Sequence, residues 1–254
     1  MAKKQGGTFW KAALLLLVGG AVAGTALLMP VLRCEIVGGS RYAIKEYEAA
    51  IGLPERRVAV FMANKKALIA EIERALPYAN VVKIERALPG TLRLHVRDSV
   101  AAFAQQQGKR WLLISETGQL LEFAEEPPKG ALRITGPTPE KPKAGQEIRW
   151  KGSRAAGHTL AALMRELRAA ELTPEITGIR VTSGPVPDAI YQGRLRLRFG
   201  VPPPGAESEA EILREKLRLA KQTIADLDAQ NPNRKGILDL SIMGQAYFSA
   251  NWEN

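Results

Sequence analysis

The spacing of hydrophobic residues predicts a helix and then a β-hairpin in the first third of the chain. Asn64 is a possible N-terminal cap, and the residues after it have the spacing of an apolar helical face that ends at Pro77. This face consists of Leu68, Ile69, Ile72, Ala75 and Leu76. The apolar residues then recur at every second position, which predicts β-strands. The alternating apolar positions are Val82 and Ile84 in one strand and Leu92, Leu94 and Val96 in the next. Between the strands, the letters LPGT place Gly90 where a type II turn requires a positive φ.

The pentapeptide ERALP occurs twice in this region, and the two copies are predicted to adopt different structures. The copy at Glu73–Pro77 ends the helix, whereas the copy at Glu85–Pro89 ends a strand. The match is therefore interpreted as coincidence and not as an internal repeat. Upstream, residues 34–39 predict a short strand, and residues 40–53 predict a helix that begins at a possible cap, Ser40. Its expected inner side carries Ile44, Tyr47 and Ile51. The order strand, helix, helix, strand, strand predicts a small sheet covered by two helices.

Beyond residue 99 the periods alternate again, which predicts a second, mixed α/β domain. Strands are expected at 100–105, at 110–122 around a turn at Gly118, and at 132–136. A helix follows with Leu160, Leu163, Met164 and Leu167 on one face. Further strands are expected at 176–181, 189–200 and 236–242, and a long helix at 207–230. The apolar stripe of that helix favours a domain core over a coiled-coil seam, because it is short. It consists of Leu213, Leu217, Ala220, Ile224 and Leu227.

Three arginines alternate with apolar residues near the middle of the second domain. Arg194, Arg196 and Arg198 fall on one face of a predicted strand, with Leu195 and Leu197 on the other. Such a row is compatible with an anion site. A solvated outer face of the sheet is the favoured interpretation, because antiparallel sheets commonly expose one polar face.

The segment Ala12–Leu32 contains no charged residue, and its length matches the hydrocarbon thickness of a bilayer. It predicts a transmembrane helix, with the tail 1–11 and its three lysines on the cytoplasmic side. A cleaved signal peptide ending at Ala23 is a second interpretation, although the apolar run continues past that point. A lipoprotein is rejected, because Arg33 precedes Cys34 where a small residue is needed.

Composition and motifs restrict the function further. The 254 residues carry a formal charge of +10, spread without a basic run, so nucleic acid is not an expected partner. Cys34 is the only cysteine, which excludes an internal disulfide and any CxxC site. The two histidines, His95 and His158, fall on different elements. No HExxH, GxSxG, P-loop or dinucleotide-binding glycine motif occurs, so we expect no enzyme, no cofactor and no metal.

The hairpin segment carries a resemblance to a known family. An N-terminal apolar span is followed by EIVGG at 35–39, a helix ending in IGL, and LPYANVVKIERALPGTLRLHVRD at 76–98. This combination resembles the extracytoplasmic POTRA module of the FtsQ/DivIB bacterial cell-division family. The hairpin keeps the family positions Pro77, Val81, Ile84, Arg86, Pro89, Thr91, Leu92, Leu94 and Val96. It departs in Asp98, where the family has Glu, and in the SVAAF that follows.

The resemblance implies a single-pass membrane scaffold with a POTRA-like domain at 33–99 and a partner-binding domain at 100–254. In this family the second domain ends in an edge strand that accepts a partner's strand. The implied partners are small bitopic coiled-coil division proteins of the FtsB/DivIC and FtsL types and, through them, septal peptidoglycan synthases. The implied location is the cell membrane at the division septum, with the C-terminal domains outside the cytoplasm.

The candidate partner-binding residues lie in the last strand and the tail, where aromatic residues are concentrated. They are Leu240, Ile242, Tyr247, Phe248, Ser249 and Trp252. The aromatic residues among them could instead pin the tail to its own core. An alternative function is a POTRA-bearing transport component that handles chains by the same strand addition. A wall-active enzyme released after Ala23 is a third.

Overall fold

A computed structural model describes residues 17, 30–31, 33–39, 41–53, 64–87, 90–201 and 209–252. No helix among these residues is long and apolar enough to cross a membrane. The predicted tail 1–11 lies outside the described residues, as does the predicted span Ala12–Leu32 apart from residues 17, 30 and 31. The chain divides into two compact units, Met1–Asp98 and Ser99–Asn254.

The first unit has the predicted order of strand, helix, helix, strand and strand. Its elements are β1 (Arg33–Val37), α1 (Ile44–Ile51), α2 (Lys65–Ala75), β2 (Ala79–Ala87) and β3 (Thr91–Asp98). The three strands form a mixed sheet in the order β1-β3-β2. Strand β3 lies in the middle, parallel to β1 and antiparallel to β2. The first copy of ERALP thus ends α2 and the second copy enters the end of β2, which confirms that the two copies have different structures.

Helix α2 begins and packs as its sequence predicts. The Oδ1 atom of Asn64 accepts the backbone N–H groups of Lys66 at 3.1 Å and of Ala67 at 3.3 Å, which caps the helix. Leu68 and Ile72 are buried in the core of the unit. This confirms the predicted cap and the inward direction of Leu68 and Ile72. Ala75, which was also expected on the inner face, is exposed in the last turn of the helix.

Helix α1 departs from its prediction at its first turn. Tyr47 and Ile51 are buried as expected, but Ile44 is half exposed. Ile44 is the first residue of the helix, so it lies at the end of the element and not over the sheet. The predicted cap Ser40 lies outside the described residues.

The strand β2 contains a bulge that the alternation pattern did not predict. The pairing with β3 shifts register between Val81 and Lys83. Val82 is consequently 55% exposed, whereas Val81 and Ile84 are buried. The prediction that Val82 faces the core was wrong, because the extra residue of a bulge reverses the side on which later side chains point.

The hairpin turn depends on Gly90, whose φ is +63°. Because β-branched residues are strained at positive φ, we expect Gly90→Val to lower the free energy of unfolding by about 1–3 kcal/mol. Gly90→Asn is the matched control, since Asn tolerates this region better and should cost less. Thermal melting of both variants tests this, and equal melting temperatures for the wild type and Gly90→Val would contradict the assigned turn.

Cys34 lies buried in β1 and is a free thiol. Burial raises its pKa to about 12, and the nearby carboxylates of Glu48 and Glu35 act in the same direction. Because the thiolate is the reactive form, we expect alkylation at pH 8 to be slow in the folded chain and rapid in denaturant. Intact mass after timed treatment with iodoacetamide measures this difference. Equal rates in the two conditions would mean that the strand does not bury Cys34.

The second unit is built on a nine-stranded mixed sheet, which confirms the expected α+β class. The strands follow the order β12-β11-β10-β9-β8-β7-β4-β5-β6. They are β4 (Ala101–Gln107), β5 (Arg110–Ser115), β6 (Leu120–Ala124), β7 (Leu132–Thr135), β8 (Ile176–Arg180), β9 (Asp188–Tyr191), β10 (Leu195–Arg198), β11 (Gly236–Asp239) and β12 (Tyr247–Ser249). The helices are α3 (Gly157–Ala169), α4 (Glu209–Gln230) and a short 3-10 helix (Thr173–Glu175).

Helix α4 connects the parallel strands β10 and β11 and packs against the sheet. All five residues of its apolar stripe are buried in the core of the second unit. This confirms that the stripe is a domain core and not a coiled-coil seam. Helix α3 also buries its predicted face, Leu160, Leu163, Met164 and Leu167.

Candidate partner-binding edge

The strand β12 forms one end of the nine-stranded sheet. It runs antiparallel to β11, with Tyr247 opposite Asp239 and Ser249 opposite Ile237. No strand pairs with its other side within residues 90–201 and 209–252. The sequence predicted a last strand at 236–242 and a tail after it. In the structure β11 ends at Asp239, and β10 and β12 flank it on both sides.

The opposite end of the sheet, β6, is less open. Its first residue, Leu120, donates its N–H to Gln146 O at 2.9 Å and accepts from the N–H of Gly145 at 2.8 Å. Just before the strand, Gln119 forms a bridge with Glu147. The segment 145–147 therefore occupies part of the outer side of β6. Covering an edge in this way hinders pairing with another chain, so β12 offers the more accessible main chain.

The backbone of β12 lies very close to the backbone of β11 at Gly236. A Cβ atom at this position would lie 2.1 Å from Ser249 O and 2.8 Å from Phe248 Cε2. Only glycine therefore fits without a shift of β12. The Phe248 ring also packs against the core of the second unit, and the Arg234 guanidinium lies 5.2 Å from its ring centroid.

The six residues predicted for partner binding occupy different environments. Leu240 is fully buried in the core, so its side chain supports the sheet from inside. Phe248 and Trp252 are partly buried. The remaining three are exposed, with Ile242 at 52% and Tyr247 at 55%. Tyr247 and the third of these, Ser249, are two residues apart and point to the same face of β12.

Local hydrogen bonds hold the exposed side chains of β12. The Tyr247 hydroxyl donates to Gln245 Oε1, and Ser249 Oγ accepts the N–H of Asn251 at 3.4 Å. Both side chains on this face of β12 therefore have a hydrogen-bond partner in the neighbouring residues of the tail. Exposed aromatic side chains are favourable contact points for another protein.

The three alternating arginines, Arg194 just before β10 and Arg196 and Arg198 within it, do not form a solvated face, which corrects the favoured interpretation. Arg194 and Arg196 are buried, and each of the three side chains pairs with a carboxylate. The pairs are Arg194–Asp228 at 2.7 Å, Arg196–Asp188 at 2.7 Å and Arg198–Asp239 at 3.4 Å. Burying a charge is costly unless it is compensated, and here the carboxylates compensate the guanidinium groups. The carboxylates belong to other elements, Asp188 to β9, Asp228 to α4 and Asp239 to β11, so the strand's own alternation could not predict them.

Asp239 joins this charged row to the edge strand, because it lies opposite Tyr247 and pairs with Arg198. Burial raises the pKa of Asp239, but hydrogen bonds from Ser241 and the positive charge of Arg198 outweigh burial. The net pKa of Asp239 is below its ordinary value. The carboxylate therefore stays ionised at neutral pH beside the exposed edge.

The two histidines each contact a glutamate carboxylate of their own unit. His95 Nε2 lies 3.1 Å from Glu85 Oε2, and the backbone N–H of His158 donates to Glu147 Oε1 at 2.9 Å. In the part of the chain that the structure describes, no three His, Cys, Asp or Glu side chains form a group that could hold a metal ion.

Comparison with known proteins does not identify a family for this chain. A scan against protein-family models finds no match for the chain, and a search of curated proteins finds no relative.

Proposed function

We propose that this protein is a non-enzymatic scaffold of the bacterial division machinery, anchored by Ala12–Leu32 and binding its partner outside the cytoplasm. The partners are small bitopic coiled-coil division proteins of the FtsB/DivIC and FtsL types, and through them the complex regulates septal peptidoglycan synthases. The tail 1–11 is cytoplasmic, the unit from 33 to 99 is a POTRA-like module, and residues 100–254 bind the partner.

The observation that carries the proposal is the open edge of β12. An extended segment of another protein can add to such an edge, because main-chain hydrogen bonds supply affinity and alternate side chains supply specificity. The exposed Tyr247 and Ser249 lie on one face of this edge, next to the ionised Asp239 of β11. A scaffold needs this kind of surface and does not need a catalytic cavity.

Two further features support a division scaffold over other strand-binding proteins. The hairpin of β2 and β3 carries the sequence pattern that resembles the FtsQ-type POTRA module, and it belongs to a small sheet with two helices. The second unit follows directly and ends in an edge strand.

The proposed membrane anchor has an energetic role. Confining the scaffold and its single-pass partners to the same thin layer raises their effective concentration, so a weak strand-to-edge contact becomes sufficient. The proposal therefore requires only a standard or small interface at β12.

The test is a pull-down of the tagged full-length chain from crosslinked membranes, with mass spectrometry of the proteins that co-purify. We expect small single-pass coiled-coil proteins together with septal synthases. Recovery of secretion machinery instead would favour the transport alternative. A soluble fragment beginning at Gly24 without membrane partners would favour the secreted enzyme.

A further inference from the structure

A buried lysine lies behind the edge strand. Lys216, in the middle of α4, is almost completely buried. Its Nζ atom donates to Phe199 O at 2.5 Å and to Ser241 O at 3.2 Å. A buried ammonium group is costly unless such acceptors surround it. These two contacts therefore account for the presence of a lysine among apolar neighbours.

The two acceptors mark the ends of neighbouring parallel strands. Phe199 directly follows β10, and Ser241 follows β11 by two residues. A Cβ atom at Gly200 would lie 2.5 Å from Ser241 Cβ, so the backbones leaving the two strands are in contact. Lys216 thus links the crossover helix to both strand ends at the point where the chain turns toward β12.

Carbonyl oxygens and not a carboxylate hold this ammonium group. Within the described residues, no acidic side chain lies within salt-bridge distance of Lys216. Burial lowers the pKa of Lys216, and the negative charge of Asp239 acts in the opposite direction. The bonds to the two carbonyl groups are consequently the main contacts that this side chain contributes.

We infer that Lys216 is a positioning residue for the partner-binding edge: by holding Ser241 O, it fixes the loop 240–246 and thereby the pairing of β12 with β11. This inference rests on the proposed function only for the use of β12 as a partner-binding edge. The positioning of the loop by Lys216 is independent of it. The bond to Lys216 is made near the start of this loop, at Ser241. The loop is followed by Tyr247, which pairs with Asp239 of β11. Without that bond the loop keeps its Ser241 N–H bond to Asp239 Oδ1 but loses this hydrogen bond from α4.

The experiment compares amide hydrogen exchange in the full-length chain and its variants, read by mass spectrometry on peptides covering 241–249. Lys216→Met removes the donors and keeps an apolar side chain of similar length. Lys216→Arg keeps a positive donor. Ile114→Val, in β5 near the other end of the sheet, removes one buried methylene from the same core and is the matched control.

We expect Lys216→Met to raise exchange in 241–249 at least tenfold, with little change in peptides from α3 and β5. Lys216→Arg should recover part of that protection, and Ile114→Val should leave 241–249 unchanged. Unchanged or uniformly raised exchange in Lys216→Met would overturn the positioning role, as would exchange in Lys216→Arg as fast as in Lys216→Met.

The same variants separate this inference from the proposed function. Partner recovery from crosslinked membranes should fall at least fivefold for Lys216→Met. If exchange in 241–249 rises and recovery does not fall, the role of Lys216 in holding the loop stands and β12 is not the capture site. If exchange does not rise, the inference fails whatever the recovery shows.

Discussion

Tyr247→Lys is expected to weaken partner capture about thirtyfold or more. Tyr247 is 55% exposed on the edge strand, and truncating a central aromatic contact typically costs about 2 kcal/mol or more of binding free energy. Lysine adds a second effect, because a charged residue on an edge strand disfavours the addition of another strand. More than half of the side chain is exposed, so the melting temperature should stay close to that of the wild type.

The matched control for this variant is Phe123→Lys. Phe123 is an aromatic residue of β6, the opposite edge strand, and it is 42% exposed. It should leave recovery from crosslinked membranes unchanged. Equal recovery of partner by wild type and Tyr247→Lys, or an equal loss in both variants, would remove β12 from the account. Phe248 is a poorer choice for such a test, because a charge there would also disturb the core.

Gly236→Ala is expected to displace β12 from the sheet. The added Cβ atom would meet Ser249 O at 2.1 Å, and main-chain atoms cannot yield as a flexible side chain does. Overpacking of this kind costs about 1–3 kcal/mol, which should be concentrated in a strand of three residues. We therefore expect rapid amide exchange at 247–249 and loss of partner capture, while the rest of the second unit stays folded.

Gly184→Ala is the control for this substitution. Its Cβ would lie 3.5 Å from Thr182 Oγ1, an ordinary contact, so exchange and capture should match the wild type. Retention of slow exchange at 247–249 in Gly236→Ala would show that β12 is not held by the close approach at Gly236. Capture that persists after β12 has been displaced would mean that the partner binds elsewhere.

Local periodicity predicted the elements whose side chains face a single core. The stripe from Leu213 to Leu227 spans a whole helix, so its burial follows from spacing alone. The same holds for the inner face of β3, where Leu92, Leu94 and Val96 are buried. In both elements the spacing of apolar residues alone determines which side chains are buried.

Other features depended on partners in a neighbouring strand of the sheet. Val82 turned outward because β2 shifts register against β3, and Arg196 became buried because Asp188 of β9 neutralises it. The bulge and the ion pair are tertiary events that a strand's own alternation does not encode.

The sequence predicted an edge strand but placed it at 236–242, whereas β12 forms the edge and β11 lies inside the sheet. Three residues, Tyr247–Ser249, give too short a pattern for a period of two to be recognised. The candidate residues were found because aromatic residues are concentrated there, and the structure separates them. Leu240 lies in the core, and Tyr247 lies on the open face. A signal that could have been used is Gly236, because a glycine at the start of a strand often marks close backbone approach.

The most direct test of the central claim places a photo-crosslinking amino acid at position 247 of the full-length chain in cells, with position 123 as the control. If β12 receives a partner strand, light should produce from position 247 one prominent adduct containing a small single-pass coiled-coil protein, and position 123 should not produce it. The absence of any adduct from position 247, or the same adducts from both positions, would contradict partner capture at this edge.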